Sequence, residues 1–159
     1  MNFEIRDMTP EDADSKGYVH WKSWQETYSG LIPEDSLARQ SLERCRETAR
    51  RWPENTLVAQ LDGNIVGFAC HGLCQDGDLS NCGEVMAIYV LREAQGLGIG
   101  KALMEAALEK LSAYDTIALW VLRENRQAIG FYEHFGFRFD GAAQALALGT
   151  VLRMIYHRP

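Results

Sequence analysis

The segment Gln95-Gly96-Leu97-Gly98-Ile99-Gly100 constrains this chain more than any other. It follows Glu84-Val-Met-Ala-Ile-Tyr-Val-Leu91, a nearly all-apolar run that reads as a central strand buried on both faces. It opens a helix expected to reach about Ser112, with Ile99, Leu103, Ala107 and Leu111 on one stripe. Alternate glycines let backbone approach a ligand closely. The first amides of a helix point outward unpaired, with the positive end of the helix dipole behind them. Strand, glycine loop and helix together form a cradle for phosphate or pyrophosphate, and Lys101 adds a charge at its rim.

Two common cradles are excluded by spacing. A P-loop needs Gly-x-x-x-x-Gly-Lys followed by Ser or Thr. Here Gly100-Lys101 is followed by Ala102, and Gln95 stands where the first glycine is required. A dinucleotide fingerprint needs Gly-x-Gly-x-x-Gly, but Lys101 occupies the place of its third glycine.

The rest of the chain supplies the frame. Residues 2–6 alternate as a short strand. Thr9-Pro10-Glu11-Asp12 starts a helix that runs to about Tyr28, with Gly17, Trp21, Trp24 and Tyr28 along one face. Pro33 begins a second, largely solvated helical stretch that ends before Trp52-Pro53. Thr56–Leu61 and Ile65–Gly72 are strands joined at Asp62-Gly63, a hairpin turn. After the glycine loop and its helix, Thr116–Leu122 is another buried strand. Asn125 caps a helix whose inner face carries Ala128, Phe131, Tyr132 and Phe135, and Gly136 stops it. Phe137–Phe139 and Thr150–Tyr156 close the chain as strands. The order predicts one α+β domain over residues 1–159, with a mixed, mostly antiparallel sheet of about seven strands and helices on both faces.

Composition narrows the class of function. Sixteen basic residues against 22 acidic leave a net charge of −6, which argues against nucleic acid as a partner. No apolar run approaches a membrane span, and the N-terminus has neither a basic segment nor a long apolar one, so a secretory signal is not expected. A cytoplasmic protein follows. Cys45, Cys70, Cys74 and Cys82 form no CxxC pair; they read as free or buried thiols. His71 beside Cys70 is too little for a zinc site, and no metal is expected.

Gln-x-x-Gly-x-Gly, set within Glu84–Leu103, resembles the GNAT superfamily of N-acetyltransferases. A second block, Asn125-Arg-Gln-Ala-Ile-Gly-Phe-Tyr-Glu-His-Phe-Gly-Phe137, resembles it in the right order. The resemblance covers Thr56 to the C-terminus well and the front helices loosely. Leu91-Arg92 stands where many members carry a nearby proline. The resemblance implies a sheet splayed at its central pair, with acetyl-CoA as acetyl donor lying in the gap. Gln95, Gly96, Leu97, Gly98, Ile99, Gly100 and Lys101 would form the pyrophosphate cradle. Main chain of Ile88, Tyr89 and Val90 would pair with the pantetheine arm, and the Ile88 amide would face the acetyl carbonyl. Asn125 would hydrogen-bond the same arm besides capping its helix.

Two side chains match proton-transfer positions of that family. Tyr132 corresponds to the tyrosine that protonates the departing thiolate; a phenol is a neutral donor at pH 7. Glu84 corresponds to a general base that some members carry, where others use a water chain. The front helix, Trp21-Lys-Ser-Trp24-Gln-Glu-Thr-Tyr28-Ser-Gly-Leu-Ile-Pro33, resembles a subset that includes polyamine acetyltransferases. Trp24 and Tyr28 would either pack on the sheet or wall the acceptor site. Asp76, Asp78, Glu34 and Asp35 in loops could line a site for a cation. The implied reaction is direct attack of a primary amine, on a small molecule or a peptide, on the acetyl group. The alternative is a non-catalytic acyl-CoA-binding module of the same fold. A homodimer paired through the C-terminal strands is a further expectation from several members.

Overall fold

In the computed structural model, which describes residues 2–159, twelve main elements follow in the expected order. They are β1 (Phe3–Asp7), α1 (Ala13–Tyr28), α2 (Glu34–Arg39), α3 (Leu42–Arg51), β2 (Thr56–Leu61), β3 (Asn64–Leu73), β4 (Cys82–Val90), α4 (Ile99–Lys110), β5 (Thr116–Leu122), α5 (Arg126–Phe135), β6 (Arg138–Leu146) and β7 (Gly149–His157). One seven-stranded sheet runs β1-β2-β3-β4-β5-β7-β6. Every neighbouring pair is antiparallel except β4 and β5.

Local chemistry explains most of the boundaries. Asp62 and Gly63 both take positive φ, 50° and 85°, as a tight turn between twisted strands requires. Asn125 accepts a hydrogen bond from the Ala128 amide and starts α5; Gly136, at φ 106°, ends it. The α4 stripe lies in the core as its spacing predicts, with Ile99, Leu103, Ala107 and Leu111 all buried. Helices cover both faces. Lys16 and His20 of α1 pack on Phe68 of β3, whereas Leu103 of α4 approaches Gly67, the next residue, from the opposite side.

Three expectations need correction. The single helical stretch after Pro33 is two helices, because Ser41 breaks it and caps α3 by accepting from the Arg44 amide. That stretch is largely solvated as expected, with Cys45 and Ala49 the fully buried exceptions. The strand expected over Phe137–Phe139 runs on to Leu146; a register shift between Phe139 and Ala143 absorbs Asp140-Gly141. The strand expected at Glu84–Leu91 is not buried on both faces: Met86 is 51% exposed.

Helices α1 and α3 touch closely at Gly17. A Cβ there would lie 2.6 Å from the Arg46 Cα. Glycine to alanine inside a helix normally adds about 1 kcal/mol of stability. Here the backbone contact must be forced apart, at a cost of about 1–3 kcal/mol. Gly17→Ala is therefore expected to lower the melting temperature; a raised one would show that the helices separate freely.

Candidate active site

The sheet opens at its middle. β4 and β5 share three parallel pairs, Cys82–Thr116, Gly83–Ile117 and Glu84–Ala118. On the other side of β4, Ala87 pairs with Cys70 and Val85 with His71, so Met86 has no partner. An unpaired residue of this kind bends its strand. β4 then stays with β3, and β5 stays with β7 along its whole length. Between them lies a cleft of about 400 Å³, lined by Val85 to Val90 on one wall and Leu119 to Val121 on the other.

The glycine loop closes one end of this cleft. Gly96 and Gly98 have φ of 83° and 88°, and an added Cβ at either would meet nothing within 4 Å. The loop therefore has the left-handed conformation that glycine permits, and Gly98 is the N-cap of α4. Gln95, Gly96, Gly98, Gly100 and Lys101 line the cleft. Leu97 and Ile99 do not; the Ile99 side chain is buried in the core, so its contribution is confined to the backbone. Gln95 Nε2 donates to the Val90 carbonyl at 3.1 Å and ties the loop to the end of β4.

Three phenols meet at the middle. Tyr28, Tyr89 and Tyr132 all line the cleft. The hydroxyls of Tyr28 and Tyr89 are 2.9 Å apart. Tyr132 packs edge-on to Phe131 and Phe137. Burial raises the pKa of all three, and neighbouring phenols add to it for Tyr89 and Tyr132. They remain neutral donors throughout the neutral range. His20 stacks on Tyr89; burial, helped by the Lys16 charge, pushes its pKa down to about 4, so it is uncharged as well.

Trp120 and Met86 line the cleft on the side of the sheet that α1 covers. Trp24 does not line it. Its ring packs 4.9 Å from Tyr28, beside Ile32, Leu122 and Val151. Tyr28 is thus on the cleft wall and Trp24 lies behind it. Glu84 sits at the last paired position before the opening, next to the cleft residue Val85 and half-buried. Burial raises its pKa, the Asp76 charge raises it further, and a hydrogen bond from Cys74 opposes both.

The ligating atoms of Cys74, Asp76 and Glu84 lie within 4.8 Å of one another. Metal ligands must be deprotonated and available. Burial pushes the Cys74 thiol up to about 12, and Asp76 Oδ2 already accepts from Trp120 Nε1 and Arg153 Nη1, each at 3.1 Å. Asp78 is paired with Arg153 too, at 2.6 Å. Two of the four loop carboxylates considered for a cationic ligand thus already hold an internal cation. The other two, Glu34 and Asp35, form the first turn of α2, where the helix dipole accounts for them. The residues that sequence reasoning missed are Trp120, Met86 and the hydroxyl of Tyr89. Trp120 carried a signal, being the lone large amphipathic ring in an aliphatic strand.

Known proteins of similar sequence and shape fit this geometry. The model of the acetyltransferase (GNAT) family matches residues 18–137. An uncharacterized N-acetyltransferase of Bacillus subtilis, YuaI, is 33% identical over 138 residues, covering 82% of this chain and 78% of its own. A probable spermine N(1)-acetyltransferase of Bacillus subtilis subsp. natto is 34% identical over 86 residues, covering 50% of this chain and 57% of its own. The PaiA N-acetyltransferase of Thermoplasma acidophilum, solved in complex with coenzyme A, superposes with a TM-score of 0.77 over 99% of both chains at 24% identity. No helix among the described residues is long and apolar enough to cross a membrane. The open sheet, the glycine loop at the start of α4 and the match over most of the chain together establish that this protein belongs to the acetyltransferase (GNAT) family and is an acyltransferase.

Proposed function

We propose that this enzyme moves an acetyl group from acetyl-CoA to a primary amine by direct attack in a ternary complex, with a small cationic amine of the polyamine type as acceptor. The observation that carries the reading is the course of the cleft. It joins the amides of the glycine loop to Tyr28 and Trp120 through the gap between β4 and β5, with Tyr132 along the way.

The residues fit the donor. Amides of Gly96, Leu97, Gly98, Ile99, Gly100 and Lys101 lie in the loop and first turn of α4, where a pyrophosphate gains from the helix dipole. The edge of β4 at Ile88, Tyr89 and Val90 has lost its β5 partner and offers main-chain groups to an extended, amide-bearing arm. Asn125 uses its Oδ1 on the Ala128 amide at 3.3 Å, and its amide NH2 serves the same arm. The Ile88 amide is the oxyanion donor in this reading, a role worth about 3–4 kcal/mol. Tyr132, held protonated by burial, donates to the departing thiolate. Glu84, whose raised pKa makes it a better base than an exposed carboxylate, takes the proton that the amine must lose.

The polyamine preference rests on the Trp24-x-x-x-Tyr28-x-Gly-Leu-Ile-Pro33 segment and on the spermine acetyltransferase relative. Tyr28, Met86 and Trp120 give that end of the cleft an apolar and aromatic lining, suited to an alkylammonium chain.

Thermal stability tests the donor first. Acetyl-CoA at about 100 times its Kd should raise the melting temperature by roughly 5–10 °C, with NADH and ATP inactive; no shift would overturn the reading. Gly98→Val should abolish this shift, because its side chain would enter the cradle and its φ is unfavourable for any β-branched residue. Tyr132→Phe should lower kcat by about 10²-fold or more with acetyl-CoA affinity unchanged; wild-type turnover would remove Tyr132 from the mechanism. Glu84 must be ionised to act as base, so activity should fall as pH drops through its raised pKa. Glu84→Gln should slow turnover and erase that acid limb, and a limb that persists would place the base elsewhere.

A further inference from the structure

Arg153 of β7 is a fully interior cation, its side chain 5% exposed, and three carboxylates surround it. Its Nε donates to Asp140 of β6 at 2.8 Å. Its Nη1 donates to Asp76 at 3.1 Å and to Asp78 at 2.8 Å, and its Nη2 donates to Asp78 at 2.6 Å. The guanidinium also stands over the Trp120 ring, 5.6 Å from its centroid. One side chain therefore ties together β5, β6, β7 and the connection between β3 and β4. That connection has no helix or strand of its own.

The consequences converge on one carboxylate. The same Asp76 oxygen that accepts from Arg153 accepts from the Trp120 indole N–H, also at 3.1 Å, and Trp120 lines the cleft. Asp76 lies in the cluster of Cys74 and Glu84. The strand neighbours of Glu84 carry no charge: on β3, Gly72 pairs with it and offers no side chain, and on β5, Ala118 pairs with it and is apolar. On β4 itself the nearest titratable side chain is the Cys82 thiol, which burial keeps protonated. The Cys74 thiol is protonated too. Asp76 is the charge that faces Glu84, and Arg153 is the charge that faces Asp76.

We propose that Arg153 is a positioning residue of the acceptor side: it holds Asp76 between Trp120 and Glu84, and so fixes both the cleft wall and the charge that the base experiences. This rests on the reading of Glu84 as the base. A guanidinium suits the task because its planar fork meets several carboxylates at once, which an ammonium cannot. Without it, three carboxylates would repel one another, Asp76 would stand unneutralised beside Glu84, and its hydrogen bond from the Trp120 indole N–H would no longer be held in place. A merely structural latch would change stability and leave the titration of Glu84 where it was.

The test follows the Glu84 carboxyl directly, by ¹³C NMR of glutamate-labelled protein, with the resonance assigned from Glu84→Gln. In Arg153→Met the titration midpoint of Glu84 should move to higher pH, since Asp76 is no longer neutralised. In Asp76→Asn, a substitution at a partly exposed loop side chain that leaves the rest of the latch in place, it should move to lower pH. With spermidine as the probe acceptor, both variants should raise the acceptor KM, by about tenfold, and leave the acetyl-CoA KM unchanged. A Glu84 midpoint unmoved in either variant overturns the proposal. So does an equal rise in both KM values. If Arg153→Met does not fold, Asp76→Asn carries the same readouts on its own: the Glu84 midpoint must move to lower pH, and an unshifted one overturns the proposal. The NMR titration needs no turnover. Moved midpoints in a protein that binds no acetyl-CoA would sink the acetyl-transfer reading and leave the latch standing.

Discussion

Beyond Glu84 and Ala118 the ladder between β4 and β5 has no further pairs, and the backbone groups of both strands face a gap. Leaving such groups unpaired away from water costs about 1–3 kcal/mol each. The gap persists because both strands are held on their outer sides, β4 by β3 as far as Val90 and β5 by β7 to Leu122. Met86 supplies the turn away, since it has no residue opposite it on β3. An opening made this way is lined by peptide groups and suits a ligand that carries amides. The same break leaves Met86 exposed and β4 only partly buried along Ala87–Val90, which is why an all-apolar strand is not a buried one.

The helices keep the opening from collapsing. α1 lays His20 and Tyr28 against Phe68 and Tyr89, with Trp24 packed behind on both His20 and Tyr28, so one wall is braced by ring-to-ring contacts. The hydrogen bond between Tyr28 and Tyr89 joins the end of α1 to the strand edge that faces the gap. On the other side of the sheet Phe131 of α5 lies beside Gly100, where an added Cβ would stand at ordinary contact distance, 3.5 Å from the ring. Gly96 and Gly98, both at positive φ, serve the conformation of the loop.

Much of this was legible in the sequence. The glycine loop, the α4 stripe, the Asn125 cap, the Gly136 stop and the Asp62-Gly63 turn each depend on neighbours a few residues away, and each stands where local chemistry puts it. What escaped depends on distant partners. The break at Ser41 lies in a charge-rich stretch without Gly or Pro, and only the burial of Cys45 and Ala49 against α1 fixes the direction of α3. Asp140-Gly141 looks like a turn, yet β7 supplies pairing on both sides of it and Arg153 supplies its charge partner. Trp24 and Tyr28, one helical turn apart, looked equivalent. The cleft takes Tyr28 alone, because the chain after it places Ile32 with Trp24, Leu122 and Val151. Arg153 gave no signal at all, since its partners lie 13, 75 and 77 residues away.

The electrostatics of the cleft run in one direction. At the glycine loop the free amides of α4 and the rim charge of Lys101 favour an anion, an effect of about 0.3–1 kcal/mol at an exposed helix end and up to ~2 when partly buried. Behind Trp120, which lines the cleft away from the loop, Asp76, Asp78 and Asp140 outnumber Arg153, and Glu84 stands beside Asp76. Between the two lie three phenols that burial keeps uncharged. A neutral, water-poor middle strengthens whatever charge develops there, because the screening that water provides is reduced. Phenol and amide donors can meet a developing oxyanion or thiolate in that region without carrying charge of their own into it. An anionic donor and a cationic acceptor would then be drawn to opposite ends and kept from exchanging places. The net charge of −6 would steer the cation from a distance, and the glycine loop alone would hold the anion against that field.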